Sequence, residues 1–351
     1  MSDTPRIVLA VSQPISAGYV DGVPKTDYLR LAELTGAQLV GNDVGRRSAL
    51  DRRIESFTAL DMRQASHILK HYPDADAYLS FSERVGIPLG MLLGRRRSRP
   101  AHIVIAHGLN SHPKRLLNAF VGWGRGVDRM IVLAASQLPF AEGFTPGRAM
   151  FLKGGVTDHE FYRPTGAADE GYVLSIGSES RDYETLLAAA EGLDVPIRIL
   201  SASPWARRSK STTRPAPANV EYLPRAGATE LRDLYARARA VVVPLMDVDY
   251  AAGHNAVLEA MCMGKPLVVS GSRGIVDYVE HGVNALVVPV GDAGAMAQAL
   301  NDVCRDDSLR ESLGAAGRRM VDESLNPAVY VRDLMSCVSE VLRARQEVAE
   351  Q

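Results

Sequence analysis

The sequence predicts an α/β protein built from two doubly wound, parallel-sheet domains. Short apolar runs rich in Val, Ile and Leu alternate with amphipathic stretches along the whole chain. That is the pattern of strands buried on both faces and joined by helices. At 351 residues the chain exceeds one ordinary domain; two of roughly 150 to 180 residues would each bury a core. A small polar stretch, residues 165 to 170, separates two such β/α series.

In the first series, Ile7 to Val11 is a continuous apolar strand, followed by a Pro/Gly/Ser loop through Gly22 and a helix around Thr26 to Thr35. Residues 37 to 40 form a short apolar run, 61 to 71 a helix and 77 to 82 a strand. The β-branched run Ile103 to Ala106 ends at His107-Gly108, and Val127 to Leu133 is the next strand. In the second series, strands are expected at residues 172–176, 197–200, 220–223, 240–244, 267–269 and 285–288. Residues 203 to 219, rich in Ser, Thr, Pro and Arg, make the expected long loop. An amphipathic helix over 328 to 347 begins just after Pro327. The expected organisation is therefore 1–165, 166–325 and a terminal helical segment 326–351.

With 46% hydrophobic and 23% charged residues the composition is that of a soluble globular protein. No run of 18 apolar residues is present, so no transmembrane helix is expected. The start, Met-Ser-Asp-Thr-Pro-Arg, lacks a charged segment leading into an apolar one, so no signal peptide is expected. Cys262, Cys304 and Cys337 are isolated and odd in number, which fits buried thiols in a reducing cytoplasm and no metal site. Residues 1 to 165 hold 21 Lys/Arg and 15 Asp/Glu, a balance of +6, against −7 for the remainder. A basic first half suits an anionic acceptor or a membrane surface; two solvated surfaces that happen to differ explain it as simply. The run Arg95-Arg-Arg-Ser-Arg99 is better explained as cations at a helix C-terminus than as a membrane patch. No nucleic-acid partner is expected.

The densest information lies in residues 253 to 292. They predict a helix, a strand, a short helix and a second strand. Gly253 permits close backbone approach, Asn255 is a good helix cap, and Gly264-Lys265-Pro266 closes the helix and opens a buried strand. Val257, Leu258, Met261 and Cys262 form an apolar stripe at helical spacing, with Glu259 on another face. A glycine loop feeding a helix N-terminus is a natural seat for a phosphate. A carboxylate one turn in, at Glu259, is placed to take the hydroxyls of whatever carries that phosphate.

This stretch, with Leu-Glu-Ala-Met-x-x-Gly-Lys-Pro, Gly-Ile-Val-Asp-Tyr-Val-Glu-His-Gly and Leu-Val-Val-Pro-Val-Gly-Asp in order, resembles the donor-binding half of family-4 (group 1) glycosyltransferases. The resemblance is dense over about residues 220 to 322, thinner over 171 to 200, and only suggestive before that. It implies the GT-B fold of two facing Rossmann-like domains, with the terminal helix crossing back to the first. It implies transfer of a sugar, with retention of anomeric configuration, from a nucleoside-diphosphate donor to an acceptor. The short first domain, without an evident lipid-binding patch, favours a small-molecule acceptor over a membrane lipid. No cofactor or metal is then required.

Residue by residue, the resemblance makes Glu259 the ribose-binding glutamate that ends a Glu-x7-Glu motif. The first glutamate of that motif falls on Ala251, a departure, and Asp247, Asp249, His254 or Asn255 are the candidates to replace it. Where the family has a Gly-Arg…Lys pair for the leaving diphosphate, this chain has Ser178, leaving Arg181 as the cation of that loop. Leu223 and Arg225 match the nucleobase contacts, His107 the active-site histidine of the first half, and Gly18 the small-residue loop near the diphosphate. Arg207, Arg208 and Lys210 are better explained as a solvated loop. Two other functions fit the pattern: a GT-B nucleotide-sugar epimerase, and a catalytically weakened subunit that binds nucleotide sugar. Ala251 and Ser178 keep the second of these open.

Overall fold

A computed structural model describes residues 5–15, 23–45, 48–96, 98–201 and 214–350. Gly18, Arg207, Arg208 and Lys210 therefore lie outside the described residues. The chain divides into two compact units, one of residues 1–20, 25–152 and 330–351, the other of 21–24 and 153–329.

In the first unit the order along the chain is β1 (Ile7–Ala10), α1 (Asp27–Thr35), β2 (Gln38–Val40), α2 (Ala49–Thr58), α3 (Met62–His71) and β3 (Ala77–Ser80). It continues with α4 (Glu83–Leu93), β4 (Ala101–Ala106), α5 (His112–Val121), β5 (Arg129–Val132), α6 (Leu138–Phe144) and β6 (Ala149–Phe151). The six strands form one parallel sheet in the order β2-β1-β3-β4-β5-β6. The strands β1, β3 and β4 are buried along their whole length, which is why they read as unbroken apolar runs. Helix α4 serves two clusters: Val85 and Leu89 pack with Val8, Tyr78 and Ile68, while Ile87 packs with Val104, Met130 and Trp123. His102, wholly buried in β4, is satisfied by Ser80 Oγ at 3.0 Å and Gly126 O at 2.9 Å. Burial holds its titration down at about 4.

The last helix, α12 (Pro327–Glu350), belongs to this unit from Tyr330 onward. Its Arg345 binds Asp128 Oδ1 at 2.9 Å and the Arg99 carbonyl at 2.6 Å. Arg99 itself forks onto both oxygens of Asp128, at 2.6 and 3.0 Å, a bidentate geometry only arginine provides. The end of the basic run is thus a half-buried brace and not a free surface charge; Arg97 lies outside the described residues.

The second unit runs β7 (Val173–Ile176), α7 (Tyr183–Ala190), β8 (Ile197–Leu200), β9 (Val220–Tyr222), α8 (Ala228–Arg237) and β10 (Ala240–Val243). It ends with α9 (His254–Cys262), β11 (Leu267–Ser270), β12 (Leu286–Val288), α10 (Ala293–Arg305) and α11 (Asp307–Glu323). Its sheet is again parallel, in the order β12-β11-β10-β7-β8-β9. One apolar cluster joins α8, α9 and the segment before β7; another joins α7 and α10. The division between units falls at Leu152 and Lys153, ahead of the polar stretch at 165 to 170, because Val156, Phe161 and Tyr162 already pack on the α8–α9 cluster.

Two local expectations change. Helix α9 starts at His254 with Gly253 as its N-cap at φ +79°, so Asn255 is the second helical residue, exposed, and not the cap. Residues 273 to 278 form consecutive turns and no helix. Gly274 there lies so close to Tyr250 that an added Cβ would stand 1.8 Å from its carbonyl oxygen.

Candidate functional site

In an open parallel sheet, ligands collect beyond the carboxyl ends of the strands where the strand order reverses. In the second unit that place is between β7 and β10, because the chain goes outward from β7 to β8 and β9, then returns to β10 on the other side. The loop after β7, residues 177 to 182, and the loop after β10, residues 244 to 253, meet there. Arg181 bridges to Leu245, Met246 N donates to Ser180 O at 2.9 Å, and Asp182 N donates to Pro244 O at 3.0 Å.

Arg181 is the centre of this junction. Only 8% of it is exposed. Its Nε donates to Ile176 O at 3.0 Å and its Nη1 to Glu179 O at 2.9 Å. Among the described residues no carboxylate lies within 4 Å of it. Nη1 would be 3.4 Å from a Cβ added at Gly253, the cap of α9. A buried guanidinium thus stands beside a helix N-terminus, and the carboxylates that act on it, Glu179 and Glu259, lie beyond ion-pair distance. Burial pushes its pKa below the ordinary arginine value, with Tyr183, Tyr235, Glu179 and Glu259 pulling the other way. Ser178, in the same loop, is buried and its hydroxyl has no hydrogen-bond partner among the described residues. Gly253 has a second reason to be glycine: besides its positive φ, a Cβ would meet Leu245 at 2.9 Å and Val243 at 3.0 Å.

Glu259 is half-buried between α8 and α9. Tyr235 donates its hydroxyl to Glu259 Oε2 at 2.8 Å. Burial pushes the carboxyl up to about 7, opposed by Tyr235, Arg181 and Tyr162. A plain solvated helix glutamate would have none of these neighbours. Neither tyrosine was legible as a site residue, since both fit an apolar core pattern.

Around Ala251, Asp247 is committed to Arg273, accepting from its Nε at 3.0 Å and its backbone N at 3.2 Å. Asp249 and His254 are buried, and the His254 ring packs on Tyr278 with centroids 4.4 Å apart. Asn255 is exposed. Beyond β9, Leu223 continues the ladder through N–H to Ile199 O at 2.8 Å and packs on the core, while Arg225 is exposed.

In the first unit, β4 delivers His107 to the carboxyl edge of the sheet, where it is exposed. Its Nε2 pairs with Phe81 O at 3.0 Å, which fixes the proton on that nitrogen, and its carbonyl accepts from Gln137 Nε2 at 3.3 Å. Below it, buried Glu83 accepts from Gly108 N at 2.7 Å and Lys114 Nζ at 3.1 Å. Burial pushes the Glu83 carboxyl up, but Lys114, His107 and these N–H groups outweigh it and hold it below the ordinary value. Asp27, at the start of α1, is pushed up to about 6 by burial, with Tyr28 N–H and His107 opposing. Glu83, Lys114 and Asp27 were not expected from sequence; only the fold brings them beside His107.

Among the described residues no helix is long and apolar enough to cross a membrane, and no three metal-ligating side chains come together.

Residues 180–306 match the family model described as "Glycosyl transferases group 1". The lipopolysaccharide core biosynthesis glycosyltransferase LpsE of Rhizobium meliloti is 35% identical over 206 residues, 58% of this chain and 51% of that protein. The putative colanic acid biosynthesis glycosyltransferase WcaL of Salmonella typhimurium is 28% identical over 158 residues, 43% of this chain and 39% of that protein. The chain thus matches about half or less of the length of these curated relatives. Among solved structures, a sucrose-phosphate synthase from Thermosynechococcus elongatus superposes with a TM-score of 0.74 at 15% identity, covering 97% of this chain and 100% of that one. Anabaena HepE in complex with UDP gives 0.70 at 15% identity, covering 95% and 100%. At such identities the likeness shows the fold, and that fold is GT-B.

Proposed function

We propose that this chain, whose residues 180 to 306 carry the group 1 glycosyltransferase pattern, transfers a sugar from a nucleoside-diphosphate donor to a saccharide hydroxyl with retention of configuration. The observation that carries the proposal is Arg181, buried beside the N-terminus of α9 with no carboxylate within 4 Å among the described residues. A donor diphosphate would pair with this guanidinium and the helix N-terminus together. As the glycosidic bond to the donor breaks, negative charge grows on the diphosphate, and a fixed guanidinium, the first-turn N–H groups of α9 and the Ser178 hydroxyl are in place to meet it. Glu259 would take the ribose hydroxyls, and the backbone around Leu223 and Arg225 the base. His107, oriented by its bond to Phe81, would serve the sugar or the acceptor.

The relatives are named for lipopolysaccharide core and colanic acid biosynthesis, which favours a saccharide acceptor over the small molecule expected from sequence. The three buried free thiols agree with a cytoplasmic location.

Incubation with a panel of nucleotide sugars and saccharide acceptors tests the proposal. Free nucleoside diphosphate together with a glycosylated product of unchanged anomeric configuration is expected. An epimerised donor, or binding without turnover, would move the assignment to one of the two other functions.

Two substitutions refine it. Glu259→Ala is expected to weaken nucleoside diphosphate binding by about 1.5–3 kcal/mol, the scale of charge-assisted bonds to hydroxyls; calorimetry reads it, and unchanged affinity in a folded variant removes Glu259 from the site. For the sugar, Asp247 is held by Arg273, so we assign the role of the absent glutamate to His254. His254→Ala is expected to cut turnover by about tenfold, one lost hydrogen bond to the transition state, while Asp247→Ala stays near the wild type. The reverse order would transfer the role to Asp247.

A further inference from the structure

Tyr235 lies in the last turn of α8, wholly buried, with its hydroxyl on Glu259 Oε2 and 3.4 Å from Ala256 O. Tyr162, from the segment before β7, sets its ring edge-on to that of Tyr235 with centroids 6.2 Å apart. Its hydroxyl lies close enough to the Glu259 carboxylate to pull that titration down. Tyr235 therefore supplies one hydrogen-bond donor to the carboxylate, with the Tyr162 ring packed beside it. A carboxylate has about four lone-pair sites, so all of Oε1 and part of Oε2 remain once Tyr235 is served. The pair also sits where a core would ordinarily place phenylalanine, because a buried hydroxyl needs a partner that a phenyl ring does not.

We infer that Tyr235 is a positioning residue for nucleotide recognition: by holding Oε2 it presents the rest of the Glu259 carboxylate to the two ribose hydroxyls of a nucleoside-diphosphate sugar, and so favours ribonucleotides over 2′-deoxyribonucleotides. This rests on the proposal that Glu259 meets the ribose. The groups that face the carboxylate are Tyr235 from α8, Tyr162 from the segment before β7, Arg181 from the loop after β7 and Cys262 farther along α9. Two ribose hydroxyls donate, so they select the ionised carboxylate. With burial holding the free carboxyl at about 7, roughly a tenth is ionised at pH 6, and donor affinity there is expected to be about tenfold below that at pH 8.5. Deleting the Tyr235 hydroxyl removes a group that pulls this titration down, so the midpoint of the affinity profile moves to higher pH.

The test measures binding of UDP-glucose and GDP-mannose, whose esterified phosphates do not titrate near neutrality, and of their 2′-deoxy counterparts, between pH 5.5 and 8.5. Tyr235→Phe is expected to weaken the tighter of the two by about fivefold at pH 7, to recover to within twofold of the wild type at pH 8.5, and to narrow the ribose-to-deoxyribose ratio. In a Glu259→Gln background the same change is expected to alter neither the pH profile nor the ratio. A Tyr235→Phe profile that overlays the wild type overturns the inference. So does a loss that is equal at all pH values or persists in the Glu259→Gln background, because the tyrosine then acts through packing alone. Should Glu259→Ala bind normally, or the wild type bind neither donor, the ribose reading itself fails and takes the inference with it.

Discussion

Arg181→Ala is expected to lower turnover by about two to three orders of magnitude, the usual loss when one fixed donor to a developing negative charge is removed. Binding of the nucleoside diphosphate should change far less, since in the proposed site the ground-state diphosphate would still have the N–H groups of α9 and the loop. The signature is an equal fall in kcat and kcat/KM. Arg181→Lys is expected to recover only part of the rate. A lysine ammonium keeps the charge but cannot at once reach Ile176 O, Glu179 O and a phosphate as the guanidinium fork does. Because Arg181 also satisfies those two carbonyls, the alanine variant should be checked by thermal unfolding before its rate is interpreted. A folded variant with wild-type turnover would make Arg181 a structural brace between two loops.

The second large effect is expected at Gly274. A Cβ there would stand 1.8 Å from the Tyr250 carbonyl oxygen and 2.4 Å from its carbon. Both are backbone atoms that cannot swing aside, so Gly274→Ala must displace the loop that feeds α9. We expect a loss of stability on the order of 3 kcal/mol, the scale of severe overpacking, with donor binding lost as well. Gly192→Ala is the control, since nothing lies within 4 Å of its Cβ position and its φ is ordinary; it should stay within about 0.5 kcal/mol of the wild type. Denaturant titration of the two variants compares them directly. A Gly274→Ala protein as stable as the control would mean that the two loops are not held together at that point.

Much of the fold was legible because the strands announce themselves. Val241, Val242, Val243, Leu267, Val268 and Val269 are buried on both faces of a parallel sheet, so sequence needs no three-dimensional context to flag them. Glu259 and Gly253 drew notice as sequence by another route, a carboxylate in an apolar helix and a glycine before one, whereas Arg181 drew notice only through the family resemblance of its loop. What escaped was pairwise. Glu83 and Lys114 are 31 residues apart, and neither is unusual until β4 and α4 bring them together. Tyr162 and Tyr235 look like core aromatics, and only the position of their hydroxyls reveals more. The helix start also escaped, because Asn255 is a good cap by type whereas Gly253 is the residue whose backbone takes the left-handed turn. Gly18 cannot be weighed in this way, since it lies outside the described residues.

The brace between α12 and the first sheet has a consequence for how the protein is made. The first unit is written in separated stretches of the chain: 177 residues, from 153 to 329, intervene before Tyr330 begins the returning segment. A ribosome moving at about 5–20 residues per second needs roughly 9 to 35 s to cross that interval. Until Arg345 emerges, Asp128 has only Arg99 and the His102 N–H, and the surface that the stripe Leu334, Val338 and Val341 will cover stays open. The unit that begins first is therefore completed last, and the second unit, almost unbroken in the chain, can close while the first still waits. A nascent chain stalled before residue 330 should then be cut by protease in its first half and resist in its second.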